Sequence, residues 1–229
     1  MILNETQLDR DKELAAILSI PVEKVQEKGL ATPDSIRIFA GATLPEGDLT
    51  YLYEHFDSLD LVGYLRTLMK TSVTSRGKDL INLLKTTKNK NCLDYGCGVG
   101  THSIALLENQ NKVSVVDVKG PLINCALERI KRRNFKVEKS YYSEEPLPYN
   151  YFDLIICTDV LEHVADPIYV LGKMTRSLQR GGRMYLRVST MIKPSSGHFP
   201  RSINMWKAES PKYLESHYKK VGSFLYEKL

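Results

Sequence analysis

The chain has 229 residues, 42% of them hydrophobic and 26% charged, and a formal net charge of +5 at pH 7. That length holds one α/β domain with an appendage and excludes a fusion of two enzymes, and the composition is that of a folding globular chain. So mild a positive charge does not imply nucleic acid without a localised basic patch.

Cys92, Cys97, Cys125 and Cys157 form no CxxC pair and no short secreted framework, so reduced thiols in a cytoplasmic protein are expected and a zinc site is not. The opening Met1-Ile-Leu-Asn-Glu-Thr-Gln-Leu-Asp9 is acidic where a signal peptide is basic. No apolar run approaches the roughly 18 residues of a membrane span, so neither secretion nor insertion is expected.

In chain order, Leu8, Leu14, Ala15, Ile17 and Leu18 predict a helix, and Pro21 opens a shorter one that Gly29 closes. The pair could be read as a helix-turn-helix. Its second helix would present Glu23, Lys24, Glu27 and Lys28, a neutral mix that cannot dominate a phosphate backbone. A third helical region is expected from about Leu49 to Lys70, carrying Tyr51, Tyr53, His55, Phe56, Leu59, Leu61, Tyr64 and Leu68, and a fourth near Gly77 to Leu84.

From Asn89 onward short apolar runs alternate with amphipathic stretches, which marks a mostly parallel sheet and places a boundary between residues 1–88 and 89–229. The runs are Cys92-Leu93, Val113 to Val116, Phe135 to Val137, Leu154 to Cys157 and Met184 to Val188. Helices are expected between them at Thr101 to Glu108, Pro121 to Arg133 and Pro167 to Leu178. The βαβ rhythm predicts a Rossmann-like sheet with helices on both faces and ligands at the carboxyl ends of the strands.

The first of these strands ends in Leu93-Asp94-Tyr95-Gly96-Cys97-Gly98-Val99-Gly100, and a helix follows directly. Glycines there remove the Cβ atoms that would hold a ligand off the backbone. A dinucleotide fingerprint needs a third glycine where position 101 is Thr, so a different nucleoside ligand fits better. Asp117 ends the second strand about twenty residues on, where a carboxylate can accept both hydrogen bonds of a ribose diol.

This loop, then Val116-Asp117, Phe152-Asp153-Leu-Ile-Ile-Cys-Thr-Asp159-Val-Leu161-Glu162-His163-Val164 and Gly181-Gly182-Arg183, together resemble class I S-adenosylmethionine-dependent methyltransferases, and most of all the ubiquinone-pathway O-methyltransferase group. The resemblance covers roughly Arg76 to Val188 and implies a helical substrate lid built from residues 1–88. It implies that Gly96 and Gly98, with Cys97 between them, approach the methionine part of the cofactor, that Asp117 with Val118 holds the ribose, and that Thr158 lines the adenine and methionine side. Arg76 would meet the cofactor carboxylate. Where the group often has an acidic residue for the adenine amino group, this chain reads Tyr141-Tyr142-Ser143-Glu144-Glu145, leaving Ser143, Glu144 or backbone groups for that contact. The usual sheet also closes with a sixth and a seventh strand. This chain stops at Ser223-Phe-Leu-Tyr-Glu-Lys-Leu229, about where a sixth would run, so the seventh is expected to be absent, leaving an edge for the N-terminal segment or a homodimer partner.

A sulfonium methyl is already activated, so the protein must mainly align the acceptor and exclude water, with a general base for a hydroxyl. His163, after the fourth strand, and His198, after the fifth, are the candidates. Asp159, Glu162 and His163 stand at i, i+3 and i+4; on a helix they would share a face that His198 could complete as a metal site, as in the metal-dependent small-RNA 2′-O-methyltransferases. The metal-free reading is preferred. The function expected is methyl transfer to oxygen or nitrogen of a small metabolite. The alternatives are metal-assisted RNA methylation and a cofactor-binding protein without transferase activity. Arg129, Lys131, Arg132, Arg133, Lys173 and Arg176 are read as solvated helix faces. The stripe from Tyr51 to Tyr64, with Phe199 and Trp206, has the spacing of core, and the resemblance, which implies a lid of such helices, makes it the candidate lining of an acceptor pocket.

Overall fold

The computed structural model describes residues 2–28, 58–74, 77–191 and 198–229. A single-turn 3-10 helix at Ile2–Asn4 leads into α1 (Gln7–Leu18), α2 (Val22–Glu27), α3 (Ser58–Thr74) and α4 (Gly77–Thr86). Then follow β1 (Asn91–Tyr95), α5 (Thr101–Glu108), β2 (Lys112–Asp117), α6 (Pro121–Arg132), β3 (Lys139–Tyr142) and β4 (Phe152–Thr158). A second 3-10 turn (Leu161–His163), α7 (Pro167–Ser177), β5 (Leu178–Arg187), α8 (Pro200–His217), β6 (Tyr218–Lys220) and β7 (Leu225–Lys228) complete the chain.

Local chemistry explains the helix starts. Thr6 and Asp9 form a reciprocal capping box at the start of α1, each side chain accepting the other's backbone N–H. The Asp166 carboxylate accepts from the N–H groups of Ile168 and Tyr169 ahead of α7, whose first residue is Pro167. Of the third helical region expected from the sequence, residues 49–57 lie outside the described residues.

The strands form one sheet in the order β3-β2-β1-β4-β5-β7-β6. β1 to β5 run parallel, and β7 is antiparallel to both β5 and β6. Each inner strand alternates its side chains between two apolar layers, as the pleat requires. Cys92, Val113, Val115, Leu154, Ile156 and Tyr185 face α4, α5 and α6 on one side. Leu93, Tyr95, Val116, Ile155, Cys157, Met184 and Leu186 face α7 and α8 on the other. Leu80 and Leu84 of α4 belong to the first layer, whereas α1, α2 and α3 build a third cluster that reaches Val99, Leu122 and Cys125. Among the described residues no helix is long and apolar enough to cross a membrane.

The seventh strand is present, which overturns the expectation that it would be missing. The segment assigned to a sixth strand is β7, inserted between β5 and β6. The true sixth strand is only Tyr218-Lys219-Lys220, with both lysines exposed, and so shows no apolar run. Edge strands need only one buried face and little length. Lys228 anchors β7 from its far end, its Nζ donating to the carbonyls of Thr175 (2.8 Å) and Leu178 (2.6 Å). The third strand is also displaced, to Lys139–Tyr142 rather than Phe135 to Val137. Phe135 and Val137 pack as loop residues against the first layer, and the strand at the opposite edge reads too polar to be seen.

Tyr218 ties the sixth strand to α7: its buried hydroxyl lies 2.7 Å from Thr175 Oγ1, which itself donates to the Leu171 carbonyl. With the Thr175 proton so committed, Tyr218 is the donor. Tyr218→Phe should therefore lower stability in urea denaturation by about 1 kcal/mol, whereas Tyr218→Ala, which also empties a core position, should cost about 3 kcal/mol or more.

Candidate functional site

The glycine loop leaves β1 where the strand order reverses between β1 and β4. Gly96 and Cys97 donate their N–H groups to the Val116 carbonyl at 2.8 and 3.0 Å, folding the loop over the end of β2. Buried Asp94 fixes the other side, accepting from both the N–H (3.0 Å) and the hydroxyl (2.6 Å) of Ser103 in the first turn of α5.

Two glycines in the loop do different work. Gly96 has φ +72°, and a Cβ there would stand 2.2 Å from Cγ2 of Val160, so its absence lets the loop pack on the segment after β4. Gly98 has φ +53°, but no described atom lies within 4 Å of its would-be Cβ, so that position faces open space. Cys97 is buried, and burial pushes its thiol well above the ordinary value, making it neutral packing rather than a nucleophile.

The half-buried Asp117 carboxylate accepts from Gly98 N–H at 2.7 Å and from Val118 N–H at 2.8 Å. Burial raises its pKa from 3.8 to about 6, and those two backbone bonds act against the rise. A carboxylate has about four acceptor positions, so these bonds leave it acceptor capacity. Ser143, next to the end of β3, donates its N–H to the Asp117 carbonyl (3.0 Å). Its own carbonyl takes a 2.7 Å bond from Lys173 Nζ. Thr158 lies buried at the end of β4. Arg76 lies outside the described residues.

The structure brings His163 and His198 together, their ring centroids 4.9 Å apart. The cause is backbone pairing. Phe199 N–H donates to the Glu162 carbonyl (2.9 Å), and Ser189 N–H to Glu162 Oε1 (2.9 Å), so the segment after β5 is fastened to the turn after β4. His198 Nδ1 lies 2.8 Å from the Met191 carbonyl oxygen. A carbonyl can only accept, so in the neutral ring Nδ1 carries the proton and Nε2 the lone pair. One ligand atom from each of Glu162, His163 and His198 lies within 4.8 Å of the others.

Asp159 is outside that group. The turn after β4 is a 3-10 helix of only Leu161–His163, not the α-helix that would align i, i+3 and i+4, and Asp159, at φ +54°, pairs with Arg187 at 3.7 Å. Two further sequence expectations need correction. Arg129 and Lys173 are buried rather than solvated, at 0% and 8% exposure. Trp206 packs against the second apolar layer. Periodicity places these residues on helix faces, but which face meets a neighbour is decided by tertiary packing.

A family model described as "Methyltransferase domain" matches residues 63–221. The chain belongs to that family. The cofactor follows with the family: S-adenosylmethionine. The methyltransferase domain is similar to a ubiquinone biosynthesis O-methyltransferase of Coxiella burnetii, 31% identical over 102 residues that make up 44% of each chain. It is also similar to one of Xylella fastidiosa, 33% identical over 100 residues, 41% of this chain and 39% of that one. The matches span less than half the length of these curated relatives. Among solved structures, a Methanococcus maripaludis protein described as an S-adenosyl-L-methionine-dependent methyltransferase superposes with a TM-score of 0.50 at 18% identity, over 76% of this chain and 94% of that one. At that identity the likeness speaks to the fold alone.

The loop geometry separates two substitutions. Gly98→Val should cost only the strain of its positive φ, about 1–2 kcal/mol in urea denaturation, yet weaken S-adenosylhomocysteine binding in calorimetry at least tenfold, because its side chain would enter open space. Gly96→Ala should instead cost about 2 kcal/mol or more of stability, through the clash with Val160 and the positive φ.

Asp117 provides a pH test. Its acceptor form exists above about pH 6 and is lost as pH falls through that value, so cofactor affinity should decline from pH 7 to pH 5. In Asp117→Asn the affinity should be lower throughout and that dependence should flatten. The linkage to folding has the opposite sign: a carboxyl raised from 3.8 to about 6 favours the folded chain at low pH, and that preference is lost as pH rises through about 6.

Proposed function

We propose that this domain transfers the methyl group of S-adenosylmethionine to a hydroxyl oxygen of a small-molecule metabolite, with His163 and His198 handling the acceptor proton. A nitrogen acceptor ranks second, because an amine brings its own lone pair and has little use for a base. The observation that carries the reading is the histidine pair: Nε2 of His198 has its lone pair available beside His163, in the segment against which the glycine loop packs.

In this reading Gly96 and Gly98 admit the cofactor to the backbone and Asp117 holds its ribose, with Val118, Ser143 and Thr158 around them and Arg76 at the carboxylate. The bound cofactor supplies an activated methyl on a sulfonium. The chain's own residues align the acceptor oxygen with that methyl, exclude water and accept the hydroxyl proton at an imidazole nitrogen as the oxygen–carbon bond forms. Residues 1–88 would contribute the lid over the acceptor. The name of the relatives supports an oxygen acceptor.

A second reading is favoured by one observation, the Glu162, His163 and His198 ligand set. One carboxylate oxygen and two imidazoles suit a divalent cation of the zinc or manganese kind. The Nδ1 bond of His198 to the Met191 carbonyl is the outer contact that orients a metal-bound imidazole. Such an ion would lower the pKa of a bound hydroxyl and take over the base's task.

His163→Ala distinguishes these readings. With the base, kcat should fall about a hundredfold while S-adenosylhomocysteine affinity stays near wild type, and a chelator should leave the wild type active. Loss of wild-type turnover on chelation, restored by added divalent ion, would select the metal reading. Cofactor binding without methylation of any hydroxyl or amine metabolite in a panel would defeat both and leave a binding protein.

A further inference from the structure

Arg129 is fully buried on α6, yet it faces the glycine loop rather than solvent. Its Nη1 donates to the Val99 carbonyl at 2.5 Å and to Thr101 Oγ1 at 3.2 Å, holding the last residues of the loop and the first residue of α5. Its Nε donates to Glu13 Oε2 on α1 at 3.0 Å. The loop is held on the same side by apolar contact, since the Val99 side chain belongs to the cluster that contains Leu14, Ala15, Leu65 and Leu122.

Glu13 is itself held. Arg133 pairs with Glu13 and, through Nη2, with Glu5 at 2.5 Å, while Arg132 Nη2 donates to the Ala16 carbonyl at 3.0 Å. On the far side of α1, Asp11 takes a two-bond contact from Arg66 of α3, at 2.8 and 2.9 Å. α1 is therefore a strut between α3 and the cofactor loop, and Arg129 joins the strut to loop backbone, bonding Glu13 on one side and the Val99 carbonyl on the other.

We infer that Arg129 is a positioning residue for cofactor binding: oriented by Glu13, it holds the Val99 carbonyl and so sets the conformation in which Gly98 faces open space. The inference rests on the glycine loop being the cofactor site. A buried guanidinium suits the task because its rigid fork serves Glu13 and the loop at once, whereas a lysine ammonium is a single point on a flexible stem.

The test compares Arg129→Lys with Arg133→Met. The first keeps a cation opposite Glu13 but cannot span both partners. The second removes an Arg that bonds Glu13 without touching the loop. S-adenosylhomocysteine affinity is measured by calorimetry, kcat and cofactor KM by turnover, and stability by urea. Both variants should lose stability. Arg129→Lys should bind S-adenosylhomocysteine at least tenfold more weakly and show a raised cofactor KM with kcat within about twofold, while Arg133→Met keeps wild-type affinity. Wild-type affinity in folded Arg129→Lys would overturn the inference, as would equal weakening in both variants, which would mean general loosening. If Arg129→Lys does not fold, Glu13→Gln takes its place; affinity at least threefold weaker supports the proposal and unchanged affinity overturns it. A wild-type protein that binds no S-adenosylhomocysteine would instead defeat the cofactor reading of the loop itself.

Discussion

The reversal of strand order between β1 and β4 is the constraint on which the site depends. Parallel strands end at the same edge of the sheet, and the connections leaving β1 and β4 must turn to opposite faces, to α5 on one side and α7 on the other. Chain leaving in two directions opens a crevice that a side chain alone could not make. The glycine loop forms one wall and the turn at Leu161–His163 the other, and they meet where Gly96 lies against Val160.

Irregular backbone at such an edge has lost its sheet partners, and its N–H groups must be satisfied in some other way. Three acidic side chains do this. Asp94 takes Ser103, Asp117 takes Gly98 and Val118, and Glu162 takes Ser189. Each therefore has a structural task whatever ligand arrives. The two backbone bonds of Asp117 leave acceptor capacity on its carboxylate. Burial raises its pKa to about 6 against the pull of those two bonds.

Charge also builds the outer support of the site. The basic run at the end of α6 could be taken for a solvated face, and Arg132 is exposed, but Arg129 and Arg133 turn to the N-terminal segment and meet Glu13 and Glu5. Arg129 is the fully buried member, and removing it would leave Glu13 without that partner. Lys173 plays a similar part on the opposite face, where burial lowers its pKa while its ammonium holds the Ser143 carbonyl.

Local sequence determined the parts of this protein whose signals are local. The apolar runs of β1, β2 and β4, the proline starts of the helices, the glycine loop and Asp117 all depend on neighbours a few residues away, and each was legible without a structure. Tertiary structure alone decided the rest. A three-residue strand such as Tyr218–Lys220 gains its stability from pairing with β7, so nothing in its own composition announces it. The 3-10 turn after β4 took Asp159 away from Glu162 and His163, whereas a pairing 37 residues apart, from Phe199 to Glu162, brought His198 to His163. Whether Arg129 faced water or a carbonyl depended on where α1 docked, and only the packed chain brings those groups within hydrogen-bonding distance.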